Sequence, residues 1–178
     1  MSVIGSYVYF ASAVTNFSSY SDVKLHRILR SGGAIEDLAS IPIPSAIENI
    51  YEDGNRLYLT STGEITNIAT TFPIFDLQTM ALSPASGSLQ GMNDKTAYAR
   101  TTNVAYDGTY FYYGSGGGGT PACGASLIRV PKSIAINHQL GSVDILVTNL
   151  DRIARLKAGG GAVYFGTSGD PFSKPSYR

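Results

Sequence analysis

The chain has 178 residues, which is long enough for one domain with its own core. Its formal net charge is zero. The balanced charge gives no reason to expect nucleic acid or an anionic membrane as a partner. Charged residues make up only 15% of the chain, while glycine and tyrosine are abundant, with 20 and 12 copies. This composition favours strands and tight turns over exposed helices. Cys123 is the single cysteine, which excludes an intrachain disulfide, and no apolar run is long enough to predict membrane insertion.

Taken in chain order, one short pattern occurs four times, about every 50 residues. Each copy reads Gly-x-x-[Val/Leu/Phe]-Tyr-[Phe/Leu/Tyr]-[Ala/Thr/Gly]-[Ser/Thr]. The opening glycines are Gly5, Gly54, Gly108 and Gly160, and the tyrosines are Tyr9, Tyr58, Tyr112 and Tyr164. A period of this length predicts stacked supersecondary units, and the leading all-β architecture is a propeller. We expect the four tyrosines to lie at equivalent core positions.

Each repeat predicts the four strands of one propeller blade. Asp53-Gly54 and Asp107-Gly108 are typical hairpin turns between a first strand and the tyrosine-bearing second strand. Alternating residues predict third strands at 24–29, 73–78 and 126–131, and fourth strands at 36–42, 86–93 and 143–150. The single propeller domain, residues 1–178, therefore divides into blade-like units at 5–46, 47–96, 97–150 and 151–178, about 3.5–4 antiparallel blades.

The two chain ends are expected to leave this ring unfinished. Residues 1–4 leave little room for a first strand before the strand at 7–11, and the last unit ends one strand short of a full blade. An unpaired sheet edge invites pairing with another chain. Self-association with blades supplied by another chain, or a chain that is a fragment of a larger ring, is therefore expected over a four-bladed ring that closes with an incomplete last blade.

Two segments resemble a known family. The residues DGNRLYLTSTG (53–63) and SLIRVPK (126–132) are similar to blades of NHL-type and virginiamycin-B-lyase-like propellers. The resemblance implies the propeller fold through structural residues and implies little about activity. The first unit departs from the family pattern because no Asp precedes Gly5, and the last unit lacks a following strand.

The candidate catalytic features do not form a recognisable set. The run 114–119 satisfies G-x-G-x-x-G, but Thr120-Pro121 and a strand follow where a nucleotide site needs a helix, so no cofactor is expected. His26 and His138 are the two histidines, and no acidic metal cluster can be matched to them. The scattered acids Glu48, Asp94 and Asp151 are expected to be solvated. We therefore predict no catalytic residue and no metal site.

The remaining interpretation is a non-enzymatic recognition or structural module that binds a protein or glycan partner through its loops. Loops carry function when a rigid scaffold presents them. A surface or virion location is favoured over the cytoplasm. The alternative is a propeller lyase or lactonase with a metal-assisted site at the central channel, which a histidine hydrogen-bonded to a carboxylate at the channel mouth would favour. The expected binding residues are Asn16, Tyr20, Asp22, Glu64, Asn67, Gly116, Gly117 and Asp170.

Overall fold

The protein is all-β, as the sequence predicts. The computed structural model describes residues 1–16, 19–43, 46–61, 70–89, 100–116, 125–137, 144–150 and 152–168. Within these ranges the chain forms fourteen strands and one five-residue helix. The strands belong to four antiparallel sheets, three with four strands and one with two.

Three of the sheets are simple meanders, in which each strand pairs with the next one along the chain. The first sheet contains β1 (Ser2–Ile4), β2 (Tyr7–Asn16), β3 (Ser19–Leu29) and β4 (Glu36–Ser40). The second contains β5 (Ile47–Asp53), β6 (Arg56–Ser61), β7 (Thr70–Asp76) and β8 (Ala81–Leu89). The third contains β9 (Arg100–Tyr106), β10 (Tyr110–Gly116), β11 (Ala125–Pro131) and β12 (Asp144–Leu150), with the helix α1 (Lys132–Ile136) after β11. The fourth is the hairpin of β13 (Arg152–Gly159) and β14 (Ala162–Ser168).

The repeat glycines make the turn between the first two strands of each sheet. Their φ angles are positive, +56° at Gly5, +60° at Gly54, +98° at Gly108 and +62° at Gly160. This is the left-handed region that glycine enters without the steric penalty of a Cβ atom. Because the tyrosine follows the glycine by the same number of residues in all four repeats, it lies at the same place on each second strand.

The aspartate before the glycine ties the turn to the repeat tyrosine. Asp107 Oδ1 accepts hydrogen bonds from the backbone N–H groups of Thr109 and Tyr110, both at 2.8 Å, and Oδ2 accepts one from the Tyr112 hydroxyl at 2.7 Å. Burial acts to raise the pKa of Asp107, but these hydrogen bonds outweigh it and hold the pKa below its ordinary value. The Tyr58 hydroxyl donates to Asp53 Oδ2 in the same way, at 2.8 Å. In these two repeats the Asp-Gly pair thus anchors the tyrosine as well as the turn.

The chain divides into two compact units, residues 1–62 with 71–87, and residues 63–70 with 88–178. In the first unit, one core cluster joins residues of the first and second sheets, including Leu25, Leu57, Leu59 and Phe75. In the second unit, Leu127 of β11 and Ile153 of β13 pack together with Leu150, Leu156 and Val163. Removing these apolar side chains from water is the main favourable contribution to folding.

The tyrosine prediction is confirmed for three repeats and wrong for the fourth. Tyr9, Tyr58 and Tyr112 are buried, but Tyr164 is 64% exposed. Tyr164 lies on β14, which has one strand neighbour, β13, in the part of the chain that the structure describes. Gly159 precedes Gly160, so this repeat, like the first, has no turn carboxylate for the tyrosine hydroxyl. Because Tyr9 of the first repeat is nevertheless buried, the number of neighbouring strands is what distinguishes Tyr164.

Several strand limits differ from the prediction. Residues 1–4 do contain a first strand, because β1 needs only three residues to pair with β2 and Gly5-Ser6 completes the turn. The first sheet therefore begins at Ser2, and β3 begins at Ser19 because it pairs along the whole of β2. β8 spans Ala81–Leu89 where the sequence predicted 86–93, and α1 was not predicted.

Candidate functional site

Some of the predicted binding residues lie in the part of the chain that the structure describes. They are at the end of their sheet where the second strand connects to the third. Asn16 ends β2, Tyr20 and Asp22 lie near the start of β3, and Gly116 ends β10. In the first sheet, the register pairs Thr15 with Tyr20. Asn16, Tyr20 and Asp22 therefore share one hairpin end. The other predicted binding residues, Glu64, Asn67, Gly117 and Asp170, lie outside the described residues, as do Asp94, Cys123, His138 and Asp151.

Asp22 occupies a bulge close to this hairpin end. The register pairs Ser12 with Lys24 and Val14 with Ser21, so Ala13 on β2 faces two residues on β3. Asp22 is the first of these two and has a φ of +50°, a conformation that aspartate tolerates better than most residues. Its carboxylate is 3.8 Å from the Lys24 ammonium. The bulge thus brings a strained backbone and a paired charge to the edge of the predicted binding surface.

The same sheet contains a hydrogen-bonded serine, histidine and aspartate. Ser12 Oγ is 2.7 Å from His26 Nε2, and His26 Nδ1 is 2.8 Å from Asp37 Oδ1. An ionised carboxylate can only accept, so Nδ1 carries the proton that is donated to Asp37. In the neutral ring Nε2 is then an acceptor, and the Ser12 hydroxyl donates to it. The three residues, here called the Ser12 relay, come from three adjacent strands, β2, β3 and β4.

A bulge on β4 places Asp37 in the relay. Leu25 pairs with Ala39, but the next residue, His26, pairs with Asp37, so Leu38 is an extra residue on β4. In a regular ladder His26 would face Leu38, and Asp37 would point to the opposite face of the sheet. The bulge reverses this and brings the carboxylate to the imidazole, which is a common role of bulges beside functional sites.

The relay joins a buried base to an exposed serine. His26 is only 8% exposed, and its ring stacks on Phe10 with a centroid distance of 5.1 Å. Ser12 is exposed to solvent, and the Asp37 side chain is 64% exposed. Lys24, the cross-strand partner of Ser12, holds its ammonium 4.0 Å from Asp37 Oδ2. The arrangement therefore joins an exposed serine to a protected nitrogen that accepts its proton.

Serine at this position belongs to the repeat, whereas the histidine and aspartate do not. Ser61 and Ser115 end the same motif in the second and third repeats. In the third sheet Ser115 pairs with Ser126, and the pair matching His26 and Asp37 is Ile128 and Ile145, next to the same kind of bulge. The backbone of the relay is thus shared by two sheets, and its titratable side chains are specific to the first.

The opposite face of the sheet carries a structural ion pair that does recur. Arg27 donates to Glu36 at 2.9 Å and lies 4.3 Å over the Tyr7 ring. Arg129 donates to Asp144 at 2.6 Å and lies 4.4 Å over the Tyr110 ring. Because this constellation repeats in two sheets, it is readily explained as packing, in contrast to the relay.

Sequence reasoning found His26 but missed its two partners. His26 is buried, and both of its ring nitrogens are hydrogen-bonded. A hydrogen bond between this histidine and a carboxylate is present, at Asp37, but the described residues do not form the closed channel at whose mouth the enzyme alternative places it. Ser12 is a member of the repeat motif, so the sequence gives no separate sign of a role for it. The contact of Asp37 with His26 depends on the β4 bulge, which the sequence does not predict. One feature of the sequence could have drawn attention to His26. At its position the third strands of the second and third sheets have the apolar residues Pro73 and Ile128.

Within the described residues, neither a metal-binding cluster nor a membrane-spanning helix is present. These residues contain no group of three or more His, Cys, Asp and Glu side chains placed to hold a metal ion. Glu48 is exposed on β5. In the described part of the chain, no helix has the length and apolar character needed to cross a bilayer.

Comparison with protein-family models and with curated proteins finds no match for this chain.

Proposed function

We propose that this chain is a β-propeller recognition module, in which each antiparallel sheet forms one blade. The observation that carries the proposal is the repetition of one plan in three consecutive sheets. Each is a four-stranded meander whose first turn is made by the repeat glycine at positive φ. Four-stranded meanders repeated along a chain are the building units of propellers.

The connections between second and third strands form the proposed binding face. Successive connections of a meander alternate between its two ends, so these connections lie at the end opposite the glycine turns. In the first sheet this end holds Asn16, Tyr20 and the exposed Asp22. The partner is a protein or a glycan, bound outside the cell or on a particle surface.

Binding experiments with a matched pair of variants test the recognition face. The purified chain is applied to a glycan array, and proteins that co-purify with it are identified and tested one by one. Asp22→Asn removes an exposed charge at the hairpin end and is expected to weaken binding about 5-fold or more, because it removes a polar contact. Arg30→Gln removes an exposed charge just beyond the opposite end of β3 and is expected to leave binding unchanged. Equal losses in both variants, or loss only in Arg30→Gln, would refute the assignment of the face.

Self-association is the second part of the proposal. The fourth sheet has two strands in the described residues, and its β14 exposes Tyr164 and Phe165. Exposed aromatic side chains next to a strand edge are suited to pairing with another chain. Light scattering of the purified protein is therefore expected to give at least twice the 18.9 kDa mass of one chain. A stable monomer at micromolar concentration would contradict this expectation.

A further inference from the structure

We propose that the Ser12 relay is a nucleophilic centre that hydrolyses carboxylic esters with small acyl groups. This activity goes beyond recognition, and it departs from the sequence-based expectation of a module without catalysis. The proposal rests on three observations. The hydrogen bonds run in the order hydroxyl, imidazole, carboxylate, Asp37 lies at the ring nitrogen opposite the one that faces the serine, and Ser12 is an exposed residue.

The distances suit proton transfer from the serine. At 2.7 Å, Ser12 Oγ and His26 Nε2 are within the range for a nucleophile and its general base. Asp37 does not touch the reacting atoms and acts as a positioning residue, because it keeps the proton on Nδ1 and stabilises the charged ring. Phe10 stacks on the ring and limits its rotation.

Each chemical step is balanced by these groups and one water molecule. Ser12 Oγ forms a bond to the acyl carbon while its proton moves to His26 Nε2. The bond from the acyl carbon to the alkoxy oxygen then breaks, and Nε2 returns the proton to the leaving alcohol. A water oxygen then forms a bond to the acyl carbon while its proton moves to Nε2. The bond from the acyl carbon to Ser12 Oγ breaks, Nε2 returns the proton to Oγ, and the acid leaves.

The surroundings of Ser12 indicate the substrate class. Lys24 lies across the ladder from Ser12, and its ammonium lies beside the carboxylates of Asp22 and Asp37, so we expect it to add positive charge on the face where the oxyanion develops. Phe10 lies on the same face of β2 and is half-buried, which offers an apolar contact to the acyl group. Ester bonds fit an exposed serine better than amide bonds, because their alcohol leaving group needs less assistance.

Labelling of the unmodified protein tests the proposal without any variant. The full chain is incubated with a fluorophosphonate probe, and separately with p-nitrophenyl acetate, and modified peptides are identified by mass spectrometry. The expected result is stoichiometric modification of Ser12 by the fluorophosphonate, and an acetyl group on Ser12 when the p-nitrophenyl acetate reaction is quenched before water hydrolyses the acyl-serine. Ser61 and Ser115, at the same motif position without a matching histidine, are expected to remain unmodified. Equal labelling of the three serines, or no labelling at Ser12, would overturn the proposal.

Variants then separate chemistry from folding. Release of p-nitrophenolate is expected to fall to the background rate in Ser12→Ala and about 100-fold or more in His26→Gln. Asp37→Asn is expected to lower the rate at least about 10-fold, with partial recovery in Asp37→Glu, which a purely structural loss would not show. Ser115→Ala is the control and is expected to retain the full rate. Retention of the rate in Ser12→Ala, or in folded His26→Gln, would refute the proposal while leaving the recognition function untouched.

Discussion

Replacing Tyr58 with alanine is expected to lower the free energy of unfolding by about 3–5 kcal/mol, the range for removing a large aromatic side chain from a core. Tyr58 is 1% exposed, and its ring meets Phe72 edge-to-face at a centroid distance of 5.8 Å. Its hydroxyl also donates to Asp53 at 2.8 Å. The truncation removes the ring contacts and the turn anchor together. Denaturant unfolding followed by circular dichroism measures the loss.

Tyr164→Ala is the matched control, because Tyr164 occupies the same motif position. Its side chain is 64% exposed in the single chain, so in dilute solution, where the chains are dissociated, we expect a change within about 0.5 kcal/mol, as for most surface substitutions. Tyr58→Phe separates the two contributions of Tyr58. It keeps the ring and removes the hydrogen bond to a carboxylate, and should cost about 1–3 kcal/mol. A large loss in Tyr164→Ala, comparable to that in Tyr58→Ala, would contradict the burial difference between the two tyrosines.

This contrast shows what the repeat pattern can and cannot predict. Glycine, aspartate and tyrosine report local geometry, because the turn and the hydrogen bond from tyrosine to aspartate lie within a few residues of each other. The pattern therefore places the turns and second strands well. Burial of the tyrosine also needs neighbouring strands, and the described fourth sheet provides one, β13. Tyr164 thus follows the motif and still lies at the surface.

The Ser12 relay marks a second limit of sequence reasoning. His26 and Asp37 are predicted to lie on neighbouring strands, but a regular ladder would put them on opposite faces. A single extra residue, Leu38, brings them together. Bulges of one residue leave almost no trace in the alternation of apolar and polar residues, particularly in a strand as short as β4. The members of the relay could be seen in the sequence, but their contact could not.

The seventh position of the repeat motif, which is always alanine, threonine or glycine, has a physical explanation in the third sheet. This position is held by Ala11, Thr60, Gly114 and Gly166 in the four repeats. Gly114 is buried on β10, and a Cβ atom built on it would lie 2.9 Å from the Cβ of Ile153 and 3.0 Å from its Cδ1. Ile153 is fully buried at the start of β13. The absence of a side chain at Gly114 is therefore what lets β13 pack this closely on the third sheet.

Replacing Gly114 with valine is expected to destabilise the protein by about 1–3 kcal/mol or more, because overpacking forces side chains from their rotamers and shifts the backbone. Gly166→Val is the matched control at the same motif position. A Cβ there meets no atom within 4 Å, and valine suits an exposed strand, so the expected change is close to zero or slightly stabilising. Thermal unfolding of the two variants gives the comparison.

A double mutant identifies Ile153 as the cause of the Gly114→Val effect. Ile153→Ala alone leaves a cavity and should cost about 2–5 kcal/mol. It also removes Cδ1 and Cγ1, which are two of the three atoms that crowd a Cβ at position 114. The valine methyl groups can then occupy part of the vacated space. The double mutant should therefore be more stable than the sum of the single effects predicts, by about 0.5–3 kcal/mol. Strict additivity would show that Gly114 is required for another reason, such as its place beside the irregular register between Tyr113 and Ser115.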